Sequence, residues 1–166
     1  MVIEWDELKE ADVLPYLTEV KDNKFSNPAE IIRLVKELNI EEPYAVCGGA
    51  MMVVRGIKPS TYDIDILVIN ETWQKFRNIP EWVNTLGRSG NCLTNNGIEL
   101  LCILGFTNIP RIQNYIEDAI LIDGLRFVRP SDTIQWKQIV GRNKDYDDIK
   151  LLEKYFNDKI DIKFEM

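Results

Sequence analysis

The stretch from residue 44 to residue 69 constrains the fold more than any other part of the chain. It contains a short apolar run, YAVC, then Gly48 and Gly49, and it ends in a β-branched run in which Asp63 and Asp65 alternate with isoleucines. This pattern predicts a buried strand, a glycine turn, a short helix and a second strand. If the two strands pair, the glycines lie beside the carboxylates.

The two aspartates predict a metal site. Residues two positions apart on a strand lie on one face, so Asp63 and Asp65 point the same way, opposite Ile64 and Ile66. Two adjacent carboxylates repel each other and are costly to bury. Mg²⁺ prefers hard oxygen ligands, often one or two carboxylates completed by phosphate and water. The alternative is a solvated pair of aspartates that only ends a turn.

The glycine pair and a nearby threonine are candidate phosphate-binding residues. Glycines between a strand and a helix let the backbone approach a ligand closely, and the first N–H groups of a helix favour phosphate. Gly48 and Gly49 therefore predict a phosphate cradle, although an ordinary tight turn has the same composition. Thr61, two residues before Asp63, either contacts a phosphate or holds the turn.

A third acidic residue is found farther along the chain. Glu99 is the single charge in the apolar run from residue 98 to residue 104, and a lone carboxylate in a buried strand needs a partner. Either Glu99 is directed at the same metal as Asp63 and Asp65, or it lies at the solvent end of its strand. The Asn96-Gly97 pair predicts a hairpin between this strand and residues 88–94.

The C-terminal part predicts two helices, over residues 131–140 and 144–156, separated by Gly141. Lys137 lies in the first helix, and the second begins with the charged residues Lys144, Asp145 and Asp148. In a functional interpretation the lysines bind triphosphate oxygens, and one of the aspartates anchors or activates a ligand. Alternatively, acidic residues at this position only complement the helix dipole.

The remaining segments complete a single domain over residues 1–166, with a core of about 27–157. We expect weak helical turns over residues 4–20, a helix capped by Asn27, helices over 71–86 and 109–118, and a hairpin around Asp123-Gly124. The fold class is α/β (α+β), a mixed β-sheet flanked by helices with a C-terminal helical pair.

Composition excludes several classes of function. The 166 residues contain no histidine, which excludes a histidine-based triad, a histidine zinc site and a histidine general base. The net charge of −7 makes generic DNA binding unexpected and suits a small cationic partner. Three widely spaced cysteines in apolar runs indicate buried thiols and a reducing compartment. The chain shows no signal peptide and no apolar run near the ~20 residues that span a bilayer, so we expect a cytoplasmic protein without membrane contact.

These motifs together resemble the nucleotidyltransferases of the DNA polymerase β superfamily. The resemblance rests on the Gly-Gly turn followed by Thr-x-Asp-x-Asp, the third acidic strand, and the later Arg-x-Lys-Asp-x-x-Asp segment from Arg142 to Asp148. It covers about residues 44–156. The chain is similar to the small AbiEii-like toxin nucleotidyltransferases and to small antibiotic nucleotidyltransferases of the lincosamide type.

The resemblance implies transfer of a nucleoside monophosphate from a nucleoside triphosphate, with two Mg²⁺ ions. It assigns Asp63, Asp65 and Glu99 as metal-binding and catalytic acids. It assigns nucleotide binding to the following residues: Gly48, Gly49, Thr61, Lys137, Lys144 and Asp145. The acceptor is open among tRNA or other RNA, protein and a small cationic molecule, and a role in a toxin–antitoxin or phage-defence system is implied.

The chain departs from the pattern of these enzymes at three places. Pro59, with Lys58 beside it, stands where many relatives have arginine, and Arg55-Gly56 replaces a frequent His-Gly. Glu99 replaces the commoner aspartate. Two other hypotheses therefore stay open. One is a catalytically inactive binding or regulatory domain with the same fold. The other is an unrelated metal-dependent phosphotransfer or hydrolase fold, in which the Gly-Gly strand and the Asp strand are not expected to pair.

Overall fold

A computed structural model describes residues 25–85 and 92–164 of the chain. Within these residues there are six α-helices: α1 Pro28–Glu37, α2 Gly48–Val54, α3 Asn70–Arg77, α4 Ile112–Glu117, α5 Pro130–Val140 and α6 Asn143–Phe164. The strands are β1 Tyr44–Cys47, β2 Ile64–Val68, β3 Val83–Thr85, β4 Cys92–Asn95, β5 Ile98–Cys102, β6 Ile120–Ile122 and β7 Leu125–Phe127. The weak helical turns expected over residues 4–20 lie outside the described residues.

The strands form one mixed sheet of seven strands in the order β3-β4-β5-β2-β1-β7-β6. The central strand β2 pairs antiparallel with β1 and parallel with β5. The expected α/β class with a mixed sheet is therefore correct. The pairing of β1 with β2 also contradicts the prediction made from an unrelated metal-dependent fold.

Alternation along the strands creates two differently covered faces. On the helix-rich face, Ile64 and Ile66 of β2 are fully buried and pack with residues of α1, α2 and α3. On the opposite face, which we call the site face, Cys47 and Leu67 pack against α4. Because Asp65 alternates with Ile64 and Ile66, its side chain belongs to the site face.

Local signals explain the ends of several elements. The Asn27 Oδ1 atom accepts a hydrogen bond from the Ala29 N–H group at 2.9 Å and caps α1, as expected. Both hairpins turn at a residue pair with positive φ: Asn96 at 49° and Gly97 at 82°, and Asp123 at 53° and Gly124 at 80°. Positive φ at both central residues is the feature that Asn-Gly and Asp-Gly turns provide.

Three boundaries differ from the sequence predictions. The predicted helix over residues 71–86 ends at Arg77, and Val83–Thr85 instead forms the edge strand β3 by pairing with β4. The third acidic strand ends at Cys102 and continues as a 3₁₀ turn, Ile103–Gly105. The last helix extends past residue 156 to Phe164.

Two further sequence predictions can be compared with the fold. The three cysteines are buried and unpaired, as expected for small apolar residues. In the described portion of the chain, none of the helices has both the length and the hydropathy required to cross a membrane.

Candidate metal centre

Three carboxylates from two neighbouring strands converge on the site face. Asp63 directly precedes β2, Asp65 is the second residue of β2, and Glu99 is the second residue of β5. The parallel register places Asp65 opposite Glu99. One carboxylate oxygen from each residue lies within 4.8 Å of the other two. We call this group the acid triad.

Burial and mutual repulsion make the acid triad hold protons unusually tightly. The pKa of Asp63 is raised to about 6, first by burial and then by the charge of Asp65. The pKa of Glu99 is raised to about 9 by the same two causes. Burial also raises the pKa of Asp65 above its usual value. The pKa of a carboxylate rises when the group is buried or lies beside other negative charges.

The chemistry of the triad fits a hard divalent cation. The Asp65 Oδ1 atom is inaccessible to solvent and has no hydrogen-bond partner among the described residues. Buried polar atoms are normally satisfied, and an orphaned one indicates a missing ligand or a functional role. Three carboxylates within reach of one point are the ligands that Mg²⁺ or Mn²⁺ prefers. The acid triad could therefore hold a metal ion.

The glycine pair is required by close packing at this site. Gly48 has a φ of 61°, which disfavours side chains, and a Cβ atom there would lie 3.3 Å from Oδ2 of Asp65. A Cβ atom on Gly49 would lie 2.1 Å from Oγ1 of Thr61, a clash. The backbone at Gly48 thus lies directly beside the triad, as the sequence predicts. Phosphate binding by this turn stays a prediction.

Thr61 holds the turn that leads into the triad. Its backbone exchanges hydrogen bonds with Phe25, with N–O distances of 2.8 and 3.0 Å. Its hydroxyl donates to the carbonyl oxygen of Asp63 at 3.3 Å. Of the two sequence interpretations, these contacts support the structural one, and contact with a phosphate stays a prediction.

The C-terminal helices form a second group of charges, which we call the buried charge network. The Lys137 ammonium lies 3.4 Å from a carboxylate oxygen of Asp145 and 2.9 Å from one of Asp148. The guanidinium of Arg142 donates to both oxygens of Asp145, at 2.6 and 3.0 Å. The network is completed by Lys58, whose ammonium lies 3.0 Å from Asp148. Both aspartates are nearly inaccessible to solvent.

The predicted nucleotide-binding residues of this segment therefore differ in their surroundings. Lys137 and Asp145 are bound inside the network, with Lys137 only 7% exposed. Lys144 forms no salt bridge within the part of the chain that the structure describes. Its charge lowers the pKa of Asp63, Asp65 and Glu99, against the effect of burial. Lys144 is thus a cation that acts on the whole triad.

Sequence reasoning missed two cations near the site. Lys58, which the sequence marks only as the neighbour of Pro59, binds Asp148, which is 90 positions away. Arg55 donates a hydrogen bond from Nη1 to the hydroxyl of Tyr155 at 3.2 Å. Within this loop the sequence marks only Arg55-Gly56 and Lys58-Pro59 as departures from the pattern that the chain resembles. The partners of Lys58 and Arg55 lie on α6 and cannot be found from local sequence.

Comparison with known proteins identifies no relative: no family model matches the chain, and no significant match is found among curated proteins or solved structures.

Proposed function

We propose that the protein is a Mg²⁺-dependent nucleotidyltransferase that moves a nucleoside monophosphate from a nucleoside triphosphate to an acceptor. The observation that carries the proposal is the convergence of Asp63, Asp65 and Glu99 within 4.8 Å beside the Gly48 backbone. The motif resemblance drawn from the sequence gives the reaction class. The geometry supports the cation site that this reaction needs.

In this proposal the acids and the cations of the site have separate tasks. Asp63 and Asp65 hold the metal from one strand end, and Glu99 completes the ligand set from the neighbouring strand. Bound Mg²⁺ supplies charge neutralisation at the reacting phosphate and lowers the pKa of an acceptor hydroxyl. Lys144 stabilises negative charge that moves onto the leaving pyrophosphate. The Gly48-Gly49 turn lets the phosphate approach without a side chain in the way.

The proposal is tested by offering each of the four α-³²P-labelled nucleoside triphosphates with Mg²⁺ and a cell extract. We expect one or more of the protein, RNA and small-molecule fractions to take up label, with release of pyrophosphate. The Asp65→Asn variant is the control, because it keeps the size of the side chain and removes a metal ligand. Label uptake at the same rate with the variant would exclude this mechanism, and the labelled fraction would identify the acceptor class.

A second candidate function is a domain of the same fold that binds without catalysis. The specific observation in its favour is that Lys58, Lys137 and Arg142 each form a salt bridge with Asp145 or Asp148. These cations are therefore not free to bind a triphosphate. Calorimetry with ATP, GTP, CTP and UTP in the presence of Mg²⁺ separates the candidates. A folded protein that binds none of the four would favour the non-catalytic domain.

A further inference from the structure

The carboxylate of Asp148 connects three separate segments of the chain. Its Oδ1 atom lies 3.0 Å from the ammonium of Lys58, and its Oδ2 atom lies 2.9 Å from that of Lys137. Lys58 belongs to the loop after α2, Lys137 to α5 and Asp148 to α6. Because this carboxylate is 8% exposed, solvent competes little for either contact.

The loop that carries Lys58 leads directly into the acid triad. It continues through Thr61 to Asp63, whereas the paired part of β2 begins only at Ile64. The strand ladder therefore fixes Asp65 and does not fix Asp63. Besides Asp148, the loop is held by the Phe25–Thr61 bridge and by the hydrogen bond from Ile57 N–H to the Met52 carbonyl at 2.8 Å.

The other end of the same contact lies on the helix that carries Lys144. Lys144 precedes Asp148 by four residues, about one turn of α6, and its charge acts on all three acids. The Lys58–Asp148 ion pair thus joins the loop that ends at Asp63 to the helix α6, whose second residue is Lys144. We call this ion pair the clasp.

We infer that Lys58 and Asp148 are positioning residues, which hold the Asp63 loop and the Lys144 helix at the separation that a bound nucleoside triphosphate needs. This inference rests on the proposed function. A displacement of about 1 Å at a reacting centre can lower a rate on the order of a hundredfold, so a contact that fixes this separation has a measurable effect. Lys58 itself acts through Asp148 and needs no contact with the nucleotide.

The experiment measures binding of an α,β-methylene triphosphate, which cannot transfer its nucleotide, in the presence of Mg²⁺. The analogue is that of the nucleotide which the wild-type protein binds most tightly. Variants are Lys58→Met, Lys58→Arg, Asp148→Asn and the double variant Lys58→Met/Asp148→Asn. The matched control is Lys75→Met, which breaks the ion pair of Lys75 with the mostly buried Glu42, a pair remote from the acid triad. Hydrogen exchange of residues 57–63 is measured in the absence of nucleotide.

If Lys58 and Asp148 act as a clasp, Lys58→Met raises the Kd of the analogue about tenfold and speeds hydrogen exchange of residues 57–63. Lys58→Arg, which keeps the charge, leaves both near their wild-type values. The Lys75→Met control leaves both unchanged. In the Asp148→Asn background, Lys58→Met has less than about a twofold effect, since its partner is already lost. If Asp148→Asn does not fold, the two Lys58 variants and the control decide the question.

Each other result overturns the inference in a recognisable way. An unchanged Kd in Lys58→Met excludes positioning. A raised Kd with unchanged exchange, or an undiminished effect in the Asp148→Asn background, shows that Lys58 contacts the nucleotide directly. If the wild-type protein binds no triphosphate, the proposed function fails as well, and this is seen before any variant is made.

Discussion

The carboxylates of the acid triad and those of the buried charge network have opposite surroundings. In the network, Asp145 and Asp148 are buried, and each is bound by two cationic side chains. In the triad, three carboxylates lie within 4.8 Å of one another, and Asp65 Oδ1 has no partner among the described residues. In the network each carboxylate has cationic partners from the chain itself, whereas no acid of the triad forms a salt bridge within residues 25–85 and 92–164.

The difference is also visible in the pKa values. Burial alone would raise the pKa of Asp145, but hydrogen bonds from the Arg142 side chain and backbone lower it below its usual value. In the triad, burial and like charges raise the pKa of Glu99 to about 9. The lowered pKa of Asp145 thus reflects the cations bound to it, and the raised pKa of Glu99 reflects burial beside other carboxylates.

The largest effect is expected from Asp65→Asn on nucleotide transfer. Loss of a metal ligand removes several kcal/mol of charge stabilisation, so we expect the transfer rate to fall on the order of a thousandfold. The fold should survive, because the substitution keeps the volume of the side chain. Initial rates of pyrophosphate release, with circular dichroism as the check on folding, measure this. A rate within a factor of two of wild type would show that Asp65 takes no part in nucleotide transfer.

The next largest effect is expected on stability, from Asp145→Asn in the network. The change leaves the Arg142 guanidinium without a charged partner at a position where the side chain of residue 145 is fully buried, and it leaves Lys137 with Asp148 alone. The free energy of unfolding should fall by about 3 kcal/mol. Urea denaturation measures this. Glu37→Gln, in the exposed Arg33–Glu37 pair, is the control and should cost less than about 1 kcal/mol. Equal losses in the two variants would contradict a stabilising role for the network.

Glu99→Gln is expected to raise the free energy of unfolding, whereas Asp145→Asn is expected to lower it. In metal-free protein at pH 8, Glu99 is ionised in the unfolded chain and must take up a proton on folding, because its folded pKa is about 9. The amide side chain of Gln removes this cost. The free energy of unfolding should rise by about 1–3 kcal/mol. The exposed Glu117→Gln variant is the control and should stay within about 0.5 kcal/mol of wild type. A loss of stability in Glu99→Gln would mean that Glu99 is a structural group like Asp145.

A change of pH is expected to have a smaller, gradual effect on the stability of the metal-free protein. Asp63 and Glu99 have folded pKa values of about 6 and about 9, above their ordinary values of 3.8 and 4.5. The folded state therefore binds more protons than the unfolded state between these values, and metal-free stability is lost as pH rises from 5 to 8. The slope is at most about 1.4 kcal/mol per pH unit for each proton.

Denaturation in urea with a chelator, at intervals of one pH unit, measures this slope. The Asp63→Asn/Glu99→Gln variant should show a flatter profile, and saturating Mg²⁺ should flatten that of wild type, because metal replaces the protons. At acid pH the dependence of stability on pH is expected to reverse, because protonation of Asp145 in the network removes stability below about pH 4. Parallel profiles for wild type and variant would contradict the assigned pKa shifts.

Sequence alone predicts the parts of the site that depend on neighbours in the chain. The Asp63-x-Asp65 spacing predicts two neighbouring carboxylates at the start of a strand, and the Asn96-Gly97 turn predicts the hairpin that carries Glu99. The Gly48-Gly49 turn is also local, although the reason for the second glycine, the closeness of Thr61, is visible only in three dimensions.

Other features depend on pairing between distant segments and could not be predicted. Residues 83–85 have a mixed composition and become strand β3 only because β4 offers a free edge. The contact of Lys58 with Asp148 joins residues 90 positions apart, and nothing in either local sequence selects the partner. Long-range ion pairs depend on the position of α6, which packs against α5, and no local periodicity encodes them.

The central claim is that the acid triad binds a divalent cation, and a Mn²⁺ titration at pH 8 followed by electron paramagnetic resonance tests it most directly. Wild-type protein is compared with the Asp63→Asn/Asp65→Asn/Glu99→Gln variant, both without nucleotide. The account predicts at least one bound Mn²⁺ per wild-type chain, displaced by excess Mg²⁺, and none in the variant. Equal Mn²⁺ binding by the two proteins, or no binding by a folded wild-type protein, would contradict it.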